Sequence, residues 1–272
     1  MKELLLKELA KLATKQAKYN FAREFLQELI LQIIDRQGYF KNLAFVGGTA
    51  LRMLYDLPRF SEDLDFSLVN QKGFDFTALL GTIKKELELN GYEVEVAAGK
   101  DRTVLCEFIR LKGLLSELGL AAHKSEKLFI KLEIDSNPPQ GFETEVVLVN
   151  KSFLFKVQSY QPASLFASKL HAVLFRKYEK GRDYYDLLWF LTRNVPINYD
   201  FLTNAAAQTE RDPAHYDAGR TKERLLARIA AVNFTSLLND ARPFLEKDEE
   251  AEYFRREYFS GAVEKYFRKA RG

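Results

Sequence analysis

The sequence predicts an α+β protein: a small mixed sheet flanked by helices, followed by a C-terminal helical part. Three observations carry this. Short apolar or alternating runs recur between residues 43 and 149, the period of strands. Leucines and aromatics at helical spacing frame those runs. After about residue 159 glycine becomes sparse and helical periodicity takes over. The expected domains are residues 1–160, α/β, and 161–272, helical.

Residues 1 to about 37 read as helical. Leu5, Leu9 and Leu12 recur at helical spacing, as do Phe25, Leu29 and Ile33, and Gly38 is a natural stop. Residues 43–46 form an apolar run, expected as a buried strand. Residues 49–55 read as a short helix ended before Pro58. Residues 63–69 alternate acidic and apolar side chains, as a strand does. A helix is expected over 76–89. Strands are expected over 92–97, 103–109, 128–135 and 143–149, the last after the Asn137-Pro138-Pro139 turn. Pro162 opens a helix to about residue 178. Gly181 breaks it, and residues 183–192 form the next.

Composition sets limits. An apolar fraction of 47%, with 22 Phe and 13 Tyr in 272 residues, fills a sizeable core. A net charge of +3 permits a nucleic-acid partner without demanding one. The single cysteine, Cys106, excludes an internal disulfide. His123, His171 and His215 lie far apart, which argues against zinc. No run approaches the ~20 apolar residues of a membrane span, and the N-terminus lacks a signal peptide's continuous apolar region. The expectation is a cytoplasmic protein with no membrane contact.

The chemistry concentrates in residues 45–69. Gly47-Gly48-Thr49 follows an expected strand and precedes a helix. Glycine lets the backbone come close to phosphate oxygens, and the amides at a helix start bind an anion. Asp63 and Asp65 sit two apart on a strand and so share one face, while Leu64 and Phe66 point to the other. Adjacent carboxylates suit Mg²⁺, which commonly bridges carboxylates to substrate phosphates. The pattern repeats at Lys131, Glu133 and Asp135, where a third carboxylate would complete a metal site or take a proton. Each feature alone is weak. A Gly-Gly is more often an ordinary turn, and an acidic strand is more often a solvated edge. Strand, Gly-Gly-Thr, helix, then Asp-x-Asp is a far more specific order.

That order resembles the DNA polymerase β-like nucleotidyltransferase superfamily, whose signature stands here as Val46-Gly47-Gly48 and Asp63-Leu64-Asp65. In finer detail, Gly47-Gly48-Thr49-Ala50-Leu51 and Arg59-Phe60-Ser61-Glu62-Asp63-Leu64-Asp65-Phe66 resemble the AbiEii/AbiGii toxins of type IV toxin–antitoxin and abortive-infection systems. Ser168-Lys169-Leu170-His171-Ala172 and Gly181-Arg182-Asp183-Tyr184-Tyr185-Asp186-Leu187 match that family's downstream motifs. The resemblance spans roughly residues 40 to 192. It implies a polymerase β-like fold, an NTP substrate, Mg²⁺ or Mn²⁺, and a cognate antitoxin.

Carried over by residue, it implies that Gly47, Gly48 and Thr49 contact the triphosphate and that Asp63 and Asp65 bind metal. Asp135 would be the third carboxylate, favoured over Glu133 only because the family places a carboxylate near the strand's end. Lys169 would pair with phosphate charge, and Asp186, with Asp183, would orient it or touch the nucleotide. Ser61 would be a regulatory hydroxyl. Lys169 and Arg176, seven apart, would present two cations on one helix face, and Asp183 and Asp186 share a face of the next helix. A salt-bridged inter-helix turn is the plainer reading of Arg182, Asp183 and Asp186.

The acceptor is less legible. Some relatives modify tRNA 3′ ends. Tyr253-Phe254-Arg255-Arg256 and Tyr266-Phe267-Arg268-Lys269-Ala270-Arg271 suit RNA phosphates and stacked bases. An amphipathic terminal helix with its aromatics packed inward is the competing expectation. A small-molecule, aminoglycoside-type nucleotidyltransferase and a catalytically inactive nucleotide-binding or interaction module are the alternative functions.

Overall fold

The computed structural model describes residues 1–96, 104–121, 123 and 126–269. Two compact units divide the chain: unit 1 comprises Met1–Leu54, Glu62–Pro138 and Val146–Ser159, and unit 2 comprises Tyr55–Ser61, Pro139–Glu145 and Tyr160–Gly272. Two short segments of the N-terminal part therefore group with the C-terminal helices.

Unit 1 opens with helices α1 (Lys2–Leu9) and α2 (Lys15–Arg36) where one continuous helix is expected. The break has a local cause: Thr14 is extended, and its side chain accepts from the Ala17 amide at 3.1 Å, an N-cap that starts a new helix. Strand β1 (Leu43–Val46) and helix α3 (Gly47–Tyr55) follow, then β2 (Asp63–Leu68) and α4 (Phe76–Leu89). The remaining elements are β3 (Glu93–Glu95), β4 (Val104–Lys112), α5 (Leu114–Glu117), β5 (Leu128–Asp135), β6 (Thr144–Asn150) and β7 (Leu154–Tyr160). Ala97 and Thr103, included in the expected strands, lie outside the described residues.

The strands form one mixed sheet in the order β3-β4-β5-β2-β1-β7-β6. The β2–β5 and β1–β7 pairs are parallel; β1–β2, β3–β4 and β4–β5 are antiparallel. Seven strands exceed the small sheet expected. The addition is β7, where Phe155 and Val157 are buried while Leu154 and Lys156 face outward. Alternation then divides the sheet into two faces. Leu64, Phe66, Ile109, Leu111, Ile130, Leu132 and Ile134 are buried in one core with Leu26, Ile30, Leu79 and Ile83 of α2 and α4. The intervening residues, including Asp63, Asp65 and Glu133, occupy the other face.

Unit 2 contains α6 (Pro162–Phe175), α7 (Gly181–Arg193), α8 (Tyr199–Glu210), α9 (Ala218–Ala231), α10 (Phe234–Ala241) and α11 (Arg256–Lys269). Helix α6 ends three residues earlier than expected, because Arg176 is extended. Arg228 satisfies the exposed carbonyls there, donating to Val173 at 3.2 Å and Arg176 at 2.8 Å. Phe166 and Phe190 stack 4.6 Å apart between α6 and α7. Of the C-terminal aromatics, Phe254, Tyr266 and Phe267 are buried, so they pack inward rather than offering rings to RNA; Tyr253 is exposed. Ala270 and Arg271 lie outside the described residues.

Gly181 begins α7 against the backbone of α10. A Cβ there would enter the Leu237 carbonyl. Gly181→Ala should therefore destabilise the protein by ~1–3 kcal/mol through overpacking, read as a lowered urea midpoint.

Candidate active site

Gly47 has a φ of +80°. A Cβ on it would overlap the Asp65 carboxylate and lie 3.0 Å from the Asp65 Cγ. Glycine is needed here both for the backbone and for the carboxylate seated against it. The first amides of α3 lack partners within the helix and carry the positive end of its dipole. Gly48 and Thr49 are buried. The Thr49 hydroxyl donates to the main-chain carbonyl of Asp63. Its side chain therefore ties α3 to the first residue of β2, whereas the sequence suggested a hydroxyl turned toward a phosphate.

Helix α2 grips the same strand from its buried polar positions. Arg23 donates to Glu62 at 2.7 Å and to the Tyr19 hydroxyl at 2.8 Å. Gln27 donates to the Glu62 carbonyl at 2.9 Å. The residue before Asp63 is thus held by side chain and backbone. Sequence reading missed Arg23 and Gln27; their spacing of four, which puts both on one face of the helix, was the available signal.

The β2–β5 register pairs Asp63 with Lys131, Asp65 with Glu133, and Ser67 with Asp135. Paired residues on adjacent strands point to the same face. Glu133 is therefore the carboxylate level with Asp65. Asp135 lies one pair farther along and accepts from the Asn137 amide at 3.0 Å. Burial raises its pKa, a rise that this hydrogen bond only partly offsets. Lys131 pairs with Glu133 at 2.8 Å. Burial disfavours the charge on Lys131, but Glu133 and Asp63 outweigh it and hold the ammonium above its ordinary range. Among the described residues, no three carboxylate, histidine or cysteine side chains close into a metal cage.

The remaining site residues predicted from sequence belong to unit 2. Asp186 is fully buried and accepts two hydrogen bonds of 2.7 Å from the Arg59 guanidinium, itself 2% exposed. Lys169 reaches Asp186 at 2.8 Å and Asp183 at 3.2 Å. Arg176 also pairs with Asp183. Burial opposes ionisation of Asp186, but Arg59 and Lys169 more than offset it and lower its pKa. Burial likewise opposes the charge on Lys169, and Asp186 and Asp183 reverse that, raising its pKa. Asp186 therefore orients Lys169 and is not exposed to a nucleotide. Arg59 is its principal partner, a role the sequence reading missed; its place just before Ser61-Glu62-Asp63 was the available signal. Ser61 is 7% exposed, which disfavours its reading as an accessible regulatory hydroxyl.

The family model for the nucleotidyl transferase AbiEii toxin of type IV toxin–antitoxin systems matches residues 29–265. The chain belongs to this family. It is accordingly a nucleotidyltransferase, and its family implies an NTP substrate, a divalent metal and an antitoxin partner. Two solved structures share the fold. JHP933 from Helicobacter pylori is 20% identical with a TM-score of 0.59, over 93% of each chain. An H. pylori protein provisionally assigned as a nucleotidyltransferase is 19% identical with a TM-score of 0.59, over 96% of this chain and 98% of that one. No curated protein matches the chain. Among the described residues, no helix is long and apolar enough to cross a membrane.

Asp186→Asn should leave Arg59 and Lys169 incompletely neutralised and cost ~3–5 kcal/mol, measured by urea unfolding at neutral pH. The acid limb follows from the lowered pKa. The stability contributed by Asp186 is fully present above the unfolded carboxylate value of ~3.9 and disappears as pH falls from there through the lower folded value. That component should be missing from the urea midpoint–pH profile of Asp186→Asn.

Proposed function

We propose that this chain transfers a nucleoside monophosphate from a magnesium-bound NTP to an acceptor hydroxyl on tRNA, and that it does so as the toxin of its toxin–antitoxin pair. The observation that carries the reading is the carboxylate face of the sheet. Asp63 and Asp65 share it, Glu133 stands level with Asp65, and the missing side chain of Gly47 makes room for the Asp65 carboxylate. In this reading residues 1–160 supply the α/β nucleotidyltransferase domain and residues 161–272 the helical domain, with 55–61 and 139–145 lent to the latter.

The donor set suits the metal. Mg²⁺ usually takes one or two carboxylates and completes its shell with phosphates and water, so a closed protein cage is not required. Asp63 and Asp65 would hold Mg²⁺ or Mn²⁺, which supplies positive charge to the phosphates of the bound NTP. Gly47 and the first amides of α3 cradle phosphate oxygens. Glu133, in place of Asp135, is the third carboxylate and accepts the proton of the acceptor hydroxyl. The hydroxyl oxygen bonds to the α-phosphorus as the bond to pyrophosphate breaks. Lys169 and Arg176 form the cationic cluster of the helical domain. With Arg59, they set three cations against the two carboxylates of Asp183 and Asp186, leaving one positive charge over.

The test is transfer of label from NTP to total tRNA, with aminoglycosides as a parallel acceptor. Asp63→Ala should abolish transfer without unfolding the protein; near-normal activity in that variant refutes the mechanism. Glu133→Gln should lose ~10²–10⁴-fold, while Asp135→Asn stays near wild type. The opposite ranking returns the third carboxylate to Asp135. Label on the aminoglycoside and none on tRNA removes tRNA as the acceptor.

A further inference from the structure

The open face of the sheet continues past the carboxylates as an aromatic and cationic strip. On β4 and β5 the register pairs Cys106 with Glu133, Phe108 with Lys131, and Arg110 with Phe129. The row holding Phe108 and Lys131 is therefore the row of Asp63, and Cys106, Glu133 and Asp65 form the next. With strands ~4.8 Å apart and a rise of ~3.3 Å per residue, Phe108 lies ~10 Å from Asp63 across two strands, and Phe129 ~7 Å beyond Lys131 along β5.

Core packing does not account for these rings. The core is on the opposite face, where Ile109, Leu111, Ile130 and Leu132 are buried. Phe129 remains 42% exposed, at a position where a solvated sheet face ordinarily carries a polar side chain. The two rings meet edge to face at 5.4 Å. The Arg110 guanidinium lies 5.7 Å from the centre of the Phe108 ring. Glu95, opposite Arg110, is held by Lys112 at 3.0 Å and Lys127 at 2.6 Å, so it does not consume the arginine's charge. Arg110, Lys112, Lys127 and Lys131 supply four cations along these rows, and Arg110 is the one beside the rings.

We infer that this strip is an acceptor platform for single-stranded RNA: Phe108 and Phe129 stack successive bases, Arg110 takes a phosphate, and the terminal hydroxyl reaches the carboxylates. The inference rests on the nucleotidyl-transfer reading for that last element. The chemistry selects a single strand. A duplex keeps its base faces covered by stacking, whereas unpaired bases stack on aromatic side chains. Two rings spread along strands match a polymer with repeated flat groups better than a compact small molecule.

The experiment is fluorescence anisotropy of the full chain with a fluorescein-labelled single-stranded RNA of twelve nucleotides, without NTP, across a salt series. Phe129→Ala, Phe108→Leu and Arg110→Gln are compared with wild type, each checked for an unchanged thermal melt. Phe129→Ala should weaken binding roughly tenfold or more with the salt slope unchanged. Arg110→Gln should reduce the slope by ~0.7, the value for one phosphate on a single strand. Phe108→Leu keeps bulk but loses the ring and should weaken binding in the same direction as Phe129→Ala, which separates stacking from folding. Blunt duplex RNA should bind more weakly and respond little to the aromatic variants. Absence of single-strand binding by wild type, or equal affinity in wild type and Phe129→Ala, overturns the platform. Equal displacement by polyphosphate with no effect of the aromatic variants reduces the strip to charge and also overturns it. Binding of Mg²⁺–NTP by wild type is measured separately. Its failure overturns the nucleotidyl-transfer reading instead, while the RNA titrations still decide the platform.

Discussion

A single carboxylate with no access to solvent, Asp186, holds two cations at once, Arg59 and Lys169. An ion buried alone would cost several kcal/mol. Here a planar guanidinium meets the carboxylate through two parallel bonds and an ammonium completes the cluster. Lysine could not replace Arg59, because one point charge cannot make the bidentate contact. Asp183 extends the cluster outward to Arg176. Helix α7 supplies both aspartates, and its start is fixed by Gly181, whose amide donates to Asp240 at 2.7 Å.

The chain leading to the carboxylates is consequently held on both sides within the two units. Arg59 is fixed by Asp186 in unit 2, and Glu62 by Arg23 and Gln27 in unit 1. Only Phe60 and Ser61 separate the two grips, and the Phe60 amide donates to Phe244 at 2.7 Å. Asp63 follows at once, its carbonyl taken by Thr49. A carboxylate proposed to hold metal needs a backbone that does not wander, and each neighbour in this stretch removes a degree of freedom.

Much of this was legible beforehand because periodicity and glycine chemistry are local. The bounds of β1, α4 and β5 coincide with the runs read from sequence. The same-face placement of Asp63 and Asp65 needed only strand alternation. The level of Glu133 against Asp65 did not follow from either strand alone, since parallel register is set by packing between segments some seventy residues apart. Arg59 was hidden for a similar reason: its partner is 127 residues away. Thr49 looked like a ligand for phosphate because a hydroxyl after two glycines suits one. Its burial, and the carbonyl it serves, arise from the fold around it. Strand β7 was passed over although its alternation was present, and its Ser159 hydroxyl donates to the Phe45 carbonyl at 2.7 Å.

The 127-residue separation of Arg59 and Asp186 also has a biosynthetic meaning. At ribosomal rates of roughly 5–20 residues per second, on the order of ten seconds pass between the emergence of the arginine and that of its carboxylate. Throughout that interval the segment that runs into Asp63 lacks its anchor, and a chain truncated before α7 never acquires it. Translation itself therefore withholds the grip on Arg59 until most of the polypeptide has been made, whereas Arg23 and Gln27 are already present to hold Glu62.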